Sequence, residues 1–237
     1  MPRPIPAGRL ASLIEAGTAV FVAQGYRRAQ MQDVADALGV AKGTVYGAVA
    51  GKDALLLACI RYADGLAPLP EPEAWPLPAP TDGELVTVVA QRLGEVADLQ
   101  LFRIAARPQP DPAVAEITSI VTDLMARLTR HRRAIKLVDR CAPEIDDLAQ
   151  LWFGTGRARL VEQLRDYLVR RAEQGLLRPS PAFDVLARTV VETCVLWAVH
   201  RHWDPAPLPF HTTQPEDVIT ATLAELFAAA LATDRDS

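Results

Sequence analysis

Arg27, Arg28, Gln30, Lys42, Thr44, Tyr46 and Lys52, all within residues 27–52, have side chains able to hold an anion or read a hydrogen-bonding edge. Two of the chain's three lysines are among them. Ammonium and guanidinium groups grip phosphate oxygens, while amide and hydroxyl groups add directional donors and acceptors. Other stretches carry reactive residue types without the spacing that chemistry needs. In "HRHWD" (200–204), followed by His211, the first two histidines stand at i and i+2 and do not share a helix face, so no metal site is expected. "GTGRAR" (154–159) lacks a third glycine, a preceding strand and a following Lys-Ser/Thr, and reads as a helix start rather than a phosphate loop. Cys59, Cys141 and Cys194 are far apart in apolar helical patterns and read as buried hydrophobes. With no nucleophile–base pair, metal cluster or phosphate loop, the expectation is a protein without catalysis, cofactor or metal.

The elements that would carry the seven residues are short helices. Leu10, Leu13, Ile14, Gly17 and Phe21 lie on one face of a helix from about Gly8 to Gln24, which Gly25 ends. Met31, Val34, Ala35 and Leu38 stripe a second helix. Gly39 supplies a tight turn with Val40 as its apolar plug, and a third helix runs from about 41 to 49. A fourth opens at Gly51-Lys52 and turns Leu55, Leu56, Cys59 and Tyr62/Ala63 inward. Two short helices joined through a glycine turn make a helix-turn-helix over about 29–49. Such a unit sets its second helix in the major groove of DNA while the first crosses the backbone. Lys42 and Thr44 would then meet base edges or phosphates, Tyr46 a phosphate, and Arg27, Arg28 and Gln30 the opposite strand's backbone. Lys52, at a helix N-terminus, would add a further phosphate grip.

Charge agrees with this placement. The chain as a whole carries −4, yet residues 1–67 hold seven Lys/Arg against five acids, leaving −6 for the remainder. Half the residues are hydrophobic and 23% are charged, as in an ordinary globular protein. No apolar run approaches the ~18 residues of a membrane span. "MPRPIPAGRL" has no signal-peptide core, so a cytoplasmic protein is expected.

Six prolines punctuate residues 68–80, excluding helix and central strand. This stretch divides the chain into a helix-turn-helix domain (1–67), a Pro-rich linker (68–82) and a helical remainder (83–237). Helices are expected at about 84–106, 112–130, 132–141, 143–152, 154–175, 181–202 and 215–232, with proline signals between them and no strand. The fold class is therefore all-α, with an N-terminal three-helix helix-turn-helix domain and a larger C-terminal helical domain. The last two helices are apolar on more than one face, which points to burial against a second copy of the chain. Phe102, Met125, Trp152, Phe153 and Trp197 are the large residues able to line a ligand pocket. Arg103 and Arg107 would suit an anionic ligand or an exposed helix face equally well.

Residues from about 8 to 66 resemble the N-terminal domain of the tetracycline-repressor (TetR) family of transcriptional regulators. The resemblance rests on "AGTAVFVAQGY", "DVADALGVAKGTVYGAV" and "GKDALLLACI". It implies a homodimer that binds palindromic operator DNA, generally as a repressor, and is released by a small-molecule effector held in the C-terminal domain. Several residues depart from the family pattern. Ala29 and Gln30 replace a Thr/Ser pair, and Ala41 replaces a capping serine, a loss of about 1 kcal/mol. Gly47 and Ala48 replace polar or aromatic residues, and glycine inside an exposed helix costs roughly 1 kcal/mol more. Val49 stands where an aromatic is usual. The expectation is a DNA reader with fewer phosphate contacts. The alternative is a helical small-molecule-binding or interaction protein whose reader no longer functions.

Overall fold

The computed structural model describes residues 8–71, 74–97, 104, 107, 110–203 and 213–233. Phe102, Arg103 and His211, singled out above, lie outside these residues. The helices are α1 (Gly8–Gln24), α2 (Met31–Leu38), α3 (Lys42–Tyr46), α4 (Lys52–Tyr62), α5 (Glu84–Ala97) and α6 (Ala113–Arg130). They continue with α7 (Arg132–Cys141), α8 (Asp146–Ala149), α9 (Arg157–Glu173), α10 (Phe183–Ala198) and α11 (Glu216–Leu231). Among the described residues there is no strand, only two isolated β-bridges. The protein is all-α, with an N-terminal helix-turn-helix part and a larger helical part after it.

Packing groups the chain into two compact units: residues up to Arg92 with Arg132–Gly154, and Leu93–His131 with Thr155 onward. In the first unit, the predicted stripe of α1 is buried in full: Leu10, Leu13, Ile14, Gly17 and Phe21. These residues meet α2, α4 and α7. Met31, Val34 and Ala35 of α2 are buried, and every residue of α4 from Ala54 to Ile60 is buried. Segment 132–154 joins this unit although it follows the Pro-rich stretch in sequence. Asp64, just beyond α4, accepts hydrogen bonds from the Arg133 and Ala134 amides at 2.8 and 3.2 Å and so caps α7.

Two glycines carry the turns of the reading region. Gly25 (φ +82°) takes the chain out of α1. Gly39 (φ +64°) closes α2, and Val40 donates back to the Ala35 carbonyl at 3.0 Å, so the last carbonyls of α2 are satisfied. α3 is shorter than its pattern suggests. It stops at Tyr46 because Ala48 (3% exposed) and Val49 (0%) are drawn into the core. The single helix expected at 143–152 is broken into three pieces: a 3-10 turn at Ala142–Glu144, α8, and a π-helical segment at Gln150–Gly156. Ile145 between the first two is extended, and Asp146 and Asp147 open α8 where negative charge suits the helix dipole.

In the second unit α6 packs on α10 and α11, and α9 packs on α10. Ala187, Val190, Val191, Cys194, Val195 and Ala198 of α10 are buried, as are Ile219, Leu223, Ala224, Phe227, Ala228 and Leu231 of α11. A charged cluster lies at the heart of this unit. Arg171 of α9 pairs with Glu116 of α6 through Nε–Oε2 and Nη2–Oε1, both at 2.8 Å.

Candidate nucleic-acid interface

Five of the seven predicted contact residues are exposed in the first unit: Arg27, Arg28, Gln30, Lys42 and Tyr46. Lys42 and Tyr46 are neighbours one turn apart on α3, with the lysine Nζ 6.0 Å from the tyrosine ring centroid. Tyr46 is 43% exposed, with an amphipathic ring able to offer a hydroxyl to a partner. Thr44 is half-buried and borders a groove of about 320 Å³ with Arg9, Ser12, Leu38 and Val40. Val45 and Val49 face inward, so α3 presents a single exposed edge.

Several family departures have a structural explanation. Ala29 is 2% exposed and Ala48 is 3% exposed, so neither side chain faces outward and a polar residue at either position would be buried. Gln30 occupies the N-cap of α2, where its backbone amide donates to Asp33 Oδ2 at 2.8 Å. Asp33 thus supplies the reciprocal half of a capping box in place of the missing Thr/Ser. Ala41 caps α3 with no side-chain hydrogen bond, so the cost expected there stands.

Lys52 has a different setting from the phosphate grip expected of it. Its ammonium donates to the carbonyls of Tyr26, Arg27 and Ala29 at 2.9, 3.4 and 3.2 Å, which occupies all three donors. It also lies 4.5 Å from the Tyr26 ring centroid. Tyr26 in turn donates its hydroxyl to Asp53 Oδ1. Burial, reinforced by that carboxylate, pushes the Tyr26 phenol well above its ordinary range. Lys52 therefore holds the turn between α1 and α2 from the inside.

The same turn is held from its other side by residues that local sequence does not mark. Glu144 Oε2 accepts the Arg27 amide at 2.5 Å, and Arg140 Nη1 pairs with Glu144 Oε1 at 3.2 Å. Gly25 is favoured here by its positive φ, and a Cβ would also press on the mobile ends of Arg140 and Glu144 and displace them. The Arg27 amide first, then Arg140, holds the Glu144 carboxyl below its ordinary value of 4.5. A depressed folded-state value stabilises the protein above the unfolded value and ceases to do so as pH falls through the folded one. Exchange protection of the Arg27 amide should therefore drop as pH is lowered from 6 to 3. In Glu144→Gln, protection should be weaker at pH 6 and fall less on acidification. An equal pH response in both proteins would remove Glu144 from this role.

The candidate effector residues divide between the units. Met125 (3% exposed) borders an open groove of about 730 Å³ between α6 and α11, with Thr118, Thr122, Thr220 and Ala224. Trp197 is half-buried on α10. Trp152 and Phe153 belong to the first unit. Trp152 donates Nε1 to Asp139 Oδ1 at 3.1 Å, and Phe153 is 50% exposed. Arg107 pairs with Asp111, and His202 Nε2 lies 3.6 Å from Glu216 Oε1.

Residues 13–59 match the family described as bacterial regulatory proteins, tetR family. Among solved structures the chain is similar to the ketosteroid transcriptional regulator KstR2 of Mycobacterium tuberculosis. That likeness has 13% identity and a TM-score of 0.57, over 99% of this chain and 100% of that one. A tetR-family regulatory protein from Rhodococcus RHA1 gives 18% identity and a TM-score of 0.54, over 95% and 98% of the two chains. The TetR-family regulator PfmR of Thermus thermophilus gives 15% and 0.51, over 92% and 97%. At these identities the shared property is the fold. No curated protein matches the sequence. Residues 13–59 thus carry the sequence pattern of the tetR family of bacterial regulatory proteins, within a chain whose fold is similar to that of the regulators named above.

Proposed function

We propose that this protein is a ligand-responsive transcriptional repressor, acting in the cytoplasm as a homodimer on palindromic operator DNA and released by a small-molecule effector. The observation that carries the reading is the exposed edge of α3. Its inward residues are buried in a helix-turn-helix core, while Lys42 and Tyr46 stand clear of it beside exposed Arg27, Arg28 and Gln30. We assign residues 1–67 to reading, 68–82 to a connector, and 83–237 to effector binding and dimerisation, and we assign no catalysis. Lys52 moves from the contact set to a positioning role, because its donors are occupied.

The dimer is supported by large apolar side chains left exposed on the last two helices: Val185 and Leu196 on α10, Val218 and Leu226 on α11. A second copy packed on these faces would hold two reading heads at a set spacing, and heads about 34–36 Å apart engage successive major grooves. An effector that binds one spacing better than the other lowers DNA affinity by shifting the population. We assign that effector to the groove bordered by Met125.

Selection from a random duplex pool should enrich a palindromic sequence that binds the full-length protein. On the enriched duplex, Lys42→Ala should weaken binding and reduce the slope of log K against log salt by about 0.9 per reading head, the signature of one lost phosphate contact. Tyr46→Phe should weaken binding too. If no duplex is enriched at low salt from folded protein, or if both substitutions leave affinity unchanged, the reader is not functional.

A further inference from the structure

The connector does more than join two parts of the chain. Leu77 donates its amide to the Ala48 carbonyl at 2.8 Å, and its own carbonyl accepts the Ala50 amide at 2.8 Å. Leu77 and Val49 thereby form a parallel β-bridge immediately after the reading helix. Local sequence explains why this residue makes the bridge. Pro76 and Pro78 flank Leu77, so it carries the only amide of the three. A residue that precedes proline is biased to extended backbone, the conformation a bridge needs. Pro-Leu-Pro is thus a stiff strap presenting one donor and one acceptor at a defined place.

The strap is anchored beyond the bridge as well. Thr81 donates its amide to Glu84 Oε2 at 2.9 Å at the start of α5, and Arg61 of α4 pairs with Glu84 Oε1 at 2.6 Å. α3, by contrast, has little to order it. It is five residues long, carries no side-chain N-cap and contains Gly43. A helix this short does not hold itself in water. Val45 and Val49 fix its inner face, and the strap fixes the backbone where the chain leaves it.

We infer that the Pro-Leu-Pro strap is a working part of the DNA-reading head, with Leu77 as a positioning residue that sets α3 through the backbone of Ala48 and Ala50. This inference rests on the DNA-reading role proposed above. It offers a physical reason why so thin a reading helix can function: the connector supplies backbone ordering that a five-residue helix without a side-chain cap lacks.

The test compares full-length wild type, Leu77→Pro and Leu77→Val on the duplex enriched by wild type and on an unrelated duplex of equal length. Leu77→Pro removes the amide donor, and Leu77→Val keeps both backbone bonds. Losing a bond worth about one hydrogen bond should lower affinity for the enriched duplex about tenfold in Leu77→Pro, with little change on the unrelated duplex. The salt slope should be unchanged, since no phosphate contact is lost. Leu77→Val should bind within about threefold of wild type on this backbone argument. A merely stabilising strap would lower the melting temperature of Leu77→Pro yet leave the folded protein's preference for the enriched duplex intact, and that result overturns the inference. Failure of wild type to enrich any duplex overturns the reading role itself, and the strap's part in it.

Discussion

Arg171→Met should destabilise the protein by about 3–5 kcal/mol, the range for removing one partner of a buried ion pair. The side chains of Arg171 and Glu116 are 2% and 1% exposed. Beyond the bidentate pair, Arg171 Nη2 donates to the Ile104 carbonyl at 2.9 Å and Nη1 to Gln174 Oε1 at 2.7 Å. Tyr167 donates its hydroxyl to Glu116 Oε2 at 2.9 Å, and burial, followed by that carboxylate's charge, pushes the phenol far above its ordinary range. The cluster is tolerable only because each charge has the other and the surrounding donors and acceptors are matched. Methionine fills much of the arginine stem's volume but leaves a carboxylate in the core with one phenol for company. The double substitution Arg171→Met, Glu116→Leu should recover most of the loss, since it removes both charges. Denaturant unfolding of the wild type, both single variants and the double variant measures the coupling. A single-variant loss below about 1 kcal/mol would show that the pair is not what holds α6 to α9.

The second large effect belongs to Lys52. Lys52→Met should cost about 2–3 kcal/mol, because hydrogen bonds from a charged donor are worth more than neutral ones and three carbonyls lose theirs together. DNA affinity should fall as well, since the freed turn carries Arg27 and Arg28 and leads into Gln30 at the cap of α2. The salt slope separates the two roles open to this residue. A lysine on phosphate would shift the slope by about 0.9 and leave unfolding unchanged. A lysine inside the fold should lower stability and leave the slope of the remaining complex unaltered. A slope change without a stability change would return Lys52 to the contact set.

These two residues show where local pattern stops being informative. The apolar stripe of α1 repeats at helical spacing, and each member proved buried, because a helix can hide only one face and the pattern names it. Gly25 and Gly39 were legible for a similar reason: a glycine after an amphipathic run marks a left-handed exit, and both have positive φ. Arg171 carries no such mark. On α9 it is one of several arginines, and only the arrival of Glu116, 55 positions away, makes it a core residue. Lys52 was misleading in a more instructive way. Positive charge at a helix N-terminus resembles an anion site, yet the nearest acceptors were the protein's own carbonyls. In the capping of α2, Asp33 lay in plain sight three positions after Gln30, but a glutamine is a poor cap signal.

What the sequence by itself determined was set by short-range geometry: the all-α class, the helix-turn-helix spacing, the turn glycines, and the exposed edge of Lys42 and Tyr46. Helical periodicity and glycine φ act over a few residues, so they can be read a few residues at a time. Only the tertiary structure decided that Lys52 and Arg171 turn inward, how Glu144 and Lys52 grip one turn from two sides, and that Leu77 closes on Ala48 and Ala50. Those outcomes depend on donors and acceptors brought together from distant positions, where burial obliges each polar group to find a partner and the chain's order gives no hint of which one.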